Sequence, residues 1–171
     1  MKSLATASKK STTPASKPRT KLLCVDPGLL TGLSLIDISD RMAPKLLWAA
    51  EVEMTDFYLT TEEKVAELHE ELVIICENFI IGKFTYKKSQ APWSLMGRGN
   101  MESLGVRYNV PFILQSPSFM HDWFTDDKRK IAKSMGLWHV GGEGHANDSI
   151  GHGLKYHFDR SPRWQNSFIV V

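Results

Sequence analysis

The 171-residue sequence predicts an α/β fold with a five-stranded mixed sheet and helices on both faces. Three observations predict it. Residues 21–54 read as three strands joined by short turns, the pattern of an antiparallel meander. Residues 61–77 read as a helix running into a further strand, which implies a parallel pair and a right-handed crossover. Two of the apolar strands, LLCVD and LVIICE, close on a carboxylate, Asp26 and Glu77.

The elements follow in order. Residues 1–20 hold Ser, Thr, Lys, Ala and Pro without periodicity and read as a disordered basic arm. Strands are expected at 21–26, 32–38 and 45–54, with Pro27 and Gly28 making the first reversal. Thr60 and Glu63 form a capping box, and Val65, Leu68 and Leu72 keep helical spacing, so 61–71 is a helix entering the strand 72–77. Residues 78–93 read as a loop rich in aromatic and basic side chains. A helix at 94–108 leads into a strand at 110–116. Pro117 suits the first turn of another helix, which carries Trp123 and Phe124. The basic stretch KRKIAKSMG, 128–136, is helical, and the last helix spans 146–158. One domain, 21–160, is thereby flanked by the arm and by a short tail, 161–171.

Composition narrows the function. Lys and Arg number 21 against 19 Asp and Glu, a net charge of +2. The first 21 residues hold six cations (Lys2, Lys9, Lys10, Lys17, Arg19 and Lys21) and no acid, so the rest carries −4. Attraction to a polyanion must then come from the arm and from local clusters. No apolar run reaches the ~20 residues that span a bilayer. The arm has the composition of an organelle transit segment as well as of a solvated basic arm. Cys24 shares a strand face with Asp26, whereas Cys76 faces away from Glu77. The thiols are expected on opposite faces of the sheet, without a disulfide, in a reducing intracellular compartment.

The chemistry lies at the strand ends. A carboxylate that ends a buried strand is costly to keep charged without a partner. If the two strands are parallel neighbours, Asp26 and Glu77 converge, and a divalent cation between them relieves their repulsion. A third element is HANDSIGHGLKYHF. His145 and Asp148 are three apart and share a helix face, a common pairing of metal ligands. Asp148 or Asn147 as the N-cap of that helix is the structural alternative, and Glu143 is a rival ligand.

Together these residues resemble the RuvC family of Holliday-junction resolvases, within the RNase H-like superfamily. Asp26, Pro27, Gly28, Thr31 and Gly32 match the motif that ends its first strand, one residue shorter between Asp-Pro-Gly and Thr-Gly than in bacterial members. Glu77 matches its second acid, and His145 with Asp148 matches the pair on its last helix. The size and divergent middle look more like a phage or otherwise divergent member. The resemblance implies an RNase H-like three-layer fold and a homodimer that hydrolyses phosphodiesters in four-way DNA junctions. It implies Mg²⁺, with Mn²⁺ able to substitute. Asp26, Glu77, His145 and Asp148 would be catalytic metal ligands, with His145 alternatively a general base. Phe79 is the nearest match to an aromatic at the strand-exchange point.

For DNA contact the stacking and phosphate-binding candidates are Phe79, Lys83, Lys87 and Lys88. Lys128, Arg129, Lys130 and Lys133 form a second cluster, for which a solvated helix face is the first reading of any one residue and a phosphate contact the second. His69, His121, His139, His152 and His157 read as surface or core residues. His152, four after Asp148 on the same face, has in addition a place behind the ligands. Other branched DNA, RNA–DNA hybrids, or a non-catalytic binding module are the competing functions.

Overall fold

The computed structural model describes residues 18–79 and 91–160. In chain order these contain β1 (Lys21–Asp26), β2 (Leu30–Asp37), β3 (Lys45–Glu53), α1 (Met54–Leu68), β4 (Leu72–Glu77), α2 (Ala91–Arg107), β5 (Phe112–Gln115), α3 (Ser118–Trp123), α4 (Asp126–Ser134) and α5 (His145–Asp159). The sheet order is β3-β2-β1-β4-β5. β1, β2 and β3 pair antiparallel, and β4 lies parallel to both β1 and β5. This is the expected mixed sheet. The central strands β1 and β4 are buried along nearly their whole length, as near-continuous apolar runs require.

Alternation along the strands feeds two cores. Leu22, Cys24, Val73 and Ile75 pack with Ile150, Leu154 and Phe158 of α5, Met120 of α3 and Ala132 of α4. Leu23, Val25, Ile74 and Cys76 face the other way, against Phe57 and Val65 of α1 and Met101 and Leu104 of α2. Helices thus cover both faces. Each fully buried Leu or Ile adds about 1.5–3 kcal/mol. The two thiols fall in different cores, so they are free cysteines on opposite faces. Burial pushes the Cys24 thiol up to about 12, and it stays protonated and inert.

Element boundaries differ from expectation most at α1. The helix starts at Met54, directly after β3, and ends at Leu68 rather than 71. Thr60 therefore lies inside the helix, and the capping box does not mark its start. Met54, Phe57, Thr61 and Val65 make one buried stripe, and that stripe, docked on the sheet, carries the helix back through the residues expected to be loop. Thr61 bonds its hydroxyl to the Phe57 carbonyl at 2.7 Å. β5 is shorter than expected because the chain is still turning out of α2 at Asn109, where φ is 53°. Arg19, assigned to the arm by composition, is tied to the body. Its guanidinium donates to the carbonyls of His69, Leu72 and Asn109.

Two contacts set where α5 sits. Asp26 pairs with Gly32 across β1 and β2, and Gly32 lies against the backbone of His145. A Cβ on Gly32 would stand 1.9 Å from the His145 carbonyl oxygen, so only glycine permits this approach. The second contact is Glu51, on β3. Its carboxylate accepts the backbone N–H of Glu143 at 2.7 Å, Gly144 at 2.8 Å and Ala146 at 3.2 Å. Gly144, at φ 107°, is the N-cap residue and has no side chain to cap with. Neither Asp148 nor Asn147 caps the helix. Asn147 instead holds both the N–H and the carbonyl of His139. Burial disfavours the charge on Glu51, yet the three N–H bonds and nearby His145 outweigh it and hold its carboxyl below the ordinary range.

Gly32→Ala should cost stability toward the upper end of the roughly 1–3 kcal/mol typical of overpacking, because backbone meets the new methyl. Urea midpoints of both proteins measure this, and equal midpoints would show that α5 can lift without penalty. Folding lowers the Glu51 pKa, so its stabilisation is present above the ordinary carboxylate value and is lost as pH falls through the folded value. Glu51→Gln should accordingly cost about 1 kcal/mol near neutral pH, and the gap to wild type should close on acidification. A gap that is constant with pH would mean the charge plays no part.

Candidate active site

Asp26 and Glu77 each stand one residue past the last registered pair of β1 and β4, Val25 with Cys76. Both side chains keep the parity of Cys24 and Ile75 and so face α5. The β1–β2 turn beside them is closed by Thr31, whose buried hydroxyl donates to the Gly28 carbonyl at 3.0 Å. On the other side, the first two turns of α5 supply His145, Asp148 and His152. Asp26, Glu77, His145 and Asp148 line one cleft of about 300 Å³, together with Phe79, Ser94, Pro117 and Arg129. The four residues that the sequence singles out from three distant segments are brought to one place.

Within the cleft each acid has a nitrogen partner. His145 Nδ1 lies 2.9 Å from Asp26 Oδ2. His152 Nε2 lies 3.0 Å from Glu77 Oε2. Arg129 Nη2 lies 3.4 Å from Asp148 Oδ1. The hydrogen bond to Asp26 raises the pKa of His145 above its ordinary value, against the effect of burial. Burial, and next the charge of Asp26, push the Asp148 carboxyl up, with Arg129 and His145 opposing. Among the described residues no three His, Cys, Asp or Glu side chains form a ready single-ion cage. The donor set itself, three carboxylates and an imidazole around one cleft, suits a hard divalent cation.

The other candidates are placed as follows. Phe79 is half-buried at the cleft wall, so the expected aromatic after Glu77 stands beside the acids. Lys83, Lys87 and Lys88 lie outside the described residues, as do residues 1–17 and 161–171. Lys128 sits over the Trp123 ring at 4.4 Å. Lys130 is exposed and pairs with Asp127 at 3.2 Å. Arg129, which the sequence groups with them, turns into the cleft and also donates to the Phe124 carbonyl at 3.1 Å. Glu143 is exposed and bonds through its backbone to Glu51.

Two residues go unrecognised from sequence. Glu51 had no motif to mark it, because its partners lie more than 90 positions away. Gln115 ends β5 opposite Glu77 and bonds His152 Nδ1 at 2.8 Å. For His152 the signal was present, since it lies one helical turn beyond Asp148.

No protein-family model matches the chain, and no curated protein matches it in sequence. Solved structures do match in fold. RuvC of Thermus thermophilus, in complex with a Holliday junction substrate, superposes with a TM-score of 0.64 at 13% identity, over 82% of this chain and 95% of RuvC. The yeast mitochondrial Holliday junction resolvase Ydc2 gives 0.54 at 12% identity, over 91% and 87%. Fowlpox virus resolvase, in complex with Holliday junction DNA, gives 0.51 at 14%, over 80% and 97%. With the strand order, the two helical layers and the cleft at the ends of β1 and β4, these matches show that the chain has the RuvC-like resolvase fold, an α/β fold of the RNase H-like type.

Proposed function

We propose that this protein is a metal-dependent endonuclease that cuts four-way DNA junctions. The observation that carries the reading is the convergence of Asp26, Glu77, His145 and Asp148 on one cleft. Two carboxylates at the ends of buried strands, with a third facing them from α5, would be a costly choice without a catalytic or ionic task. The fold supports the choice of substrate, since solved structures that share it include complexes with Holliday junctions. That support is by analogy of fold.

Asp26, Glu77 and Asp148 would hold Mg²⁺, with Mn²⁺ as a substitute, and His145 would give up its bond to Asp26 to join them. Bound divalent ions would supply an activated water and relief of charge on the departing oxygen. Arg129, which lines the cleft beside Asp148, would meet a phosphate of the substrate. Phe79 offers a ring face beside the acids for an unpaired base. Resolution of a four-way junction needs two cuts, and a homodimer with twofold symmetry provides two sites. No helix among the described residues is long and apolar enough to cross a membrane.

Labelled four-way junctions, flaps, Y-forks and RNA–DNA hybrids, incubated with Mg²⁺, Mn²⁺ or EDTA, test the reading. Cleavage should need the metal and favour the four-way junction. Asp26→Asn and Glu77→Gln should each lower the rate at least about 100-fold, yet bind the junction in Ca²⁺ as wild type does. Near-normal cleavage by either variant in Mg²⁺ removes the proposed site.

The arm gives a separate expectation. Deleting residues 1–17 removes four cations and spares Arg19, so the melting temperature should hold. Junction affinity should fall at low salt, with a shallower slope of log affinity against log salt. An unchanged slope would show that the arm does not touch DNA.

A further inference from the structure

His152 is fully buried, with both ring nitrogens engaged. Nε2 reaches Glu77 Oε2 at 3.0 Å and Nδ1 reaches Gln115 Oε1 at 2.8 Å. Glu77 and Gln115 are partners across β4 and β5, so the ring spans the ends of two neighbouring strands. A core histidine needs only two polar partners, and backbone carbonyls serve. Here one partner is an acid of the cleft.

We propose that His152 is the positioning residue for Glu77, and that Gln115 sets the wiring of its ring. The inference rests on the metal-dependent reading above. An ionised carboxylate only accepts hydrogen bonds, so Nε2 must carry the hydrogen toward Glu77. A neutral imidazole then has a lone pair at Nδ1. A half-turn of the Gln115 amide, which exchanges its oxygen and nitrogen, would present its NH₂ to that lone pair. In that tautomer the ring donates to Oε2 and leaves the second oxygen of Glu77 for the cation. Partners behind a metal ligand fix its orientation in this way, and their loss typically costs roughly 10–100-fold in metal affinity.

The experiment is Mn²⁺ titration of the full chain by calorimetry, with thermal melts of every variant. His152→Phe keeps a ring and removes both nitrogens. His152→Gln keeps an N–H near the place of Nε2. Gln115→Leu leaves the ring but breaks its outer bond. His152→Phe should weaken Mn²⁺ binding at least about 10-fold, His152→Gln should recover most of that, and Gln115→Leu should weaken binding by a smaller factor. A folded His152→Phe variant with wild-type Mn²⁺ affinity overturns the inference. So does a His152→Gln variant no better than His152→Phe, which is the result a merely structural role would give. If His152→Phe does not fold, unchanged affinity in Gln115→Leu overturns it instead. A wild-type chain that takes up no Mn²⁺ overturns the metal reading itself, and this inference with it. Wild-type uptake with unaffected variants overturns this inference alone.

Discussion

The height of α5 above the sheet governs the functional end of the molecule. Gly32 allows the closest approach, with the His145 backbone resting where any side chain would stand. Gly153 repeats the device farther along the helix, where a Cβ would meet Cys24 Sγ at 2.6 Å. Between them Ser149 donates to Ser34 on β2 at 2.9 Å. A helix held one methyl group higher would carry His145 away from Asp26, because Asp26 is the strand partner of Gly32. Glu51 acts on the same helix from its end and fixes its direction as Gly32 fixes its distance. A cluster of acids can be placed to fractions of an ångström only when its supports are this rigid.

Electrostatics at the cleft follow from this placement. Three acids on converging elements would repel strongly, and each has been given one nitrogen: His145 for Asp26, His152 for Glu77, Arg129 for Asp148. The partners differ in kind. His152 is sealed in the core, while the His145 and Arg129 side chains are each about 40% exposed. The two exposed partners have room to swing aside, which on the proposed reading would admit a cation or a phosphate; the buried His152 has none. Glu77 is thus the fixed member of the set, and the starts of α5 and α4 are its adaptable side.

Much of this was legible in the sequence, and the reason is local. Asp26 and Glu77 stand out because an acid closing an apolar strand is rare enough to be noticed, and Pro27-Gly28 marks the turn. His145 and Asp148 stand out through helical spacing. What was not legible depends on distance along the chain. Glu51 is one of two acids on a half-exposed strand, and nothing near it tells that its carboxylate belongs to a helix cap 93 residues later. Gln115 looks like any residue that ends a short strand. The early start of α1 has the same origin, since Met54 and Phe57 become helical through the sheet they cover. Arg129 was grouped with solvated lysines because composition cannot show which member of a basic run turns inward.

The order of assembly has a biological consequence. The two contacts that complete the cleft join residues 119 and 75 positions apart, and both need α5. During synthesis, domains fold as their segments emerge, at about 5–20 residues per second. β1 and β4 can pair while α5 is still inside the ribosome, which leaves Asp26 and Glu77 at adjacent strand ends without their histidines. On the proposed reading, a chain broken off before α5 carries half a cleft and no nuclease. On that reading, placing half of the cluster on α5 would keep unfinished copies of the protein from cutting DNA.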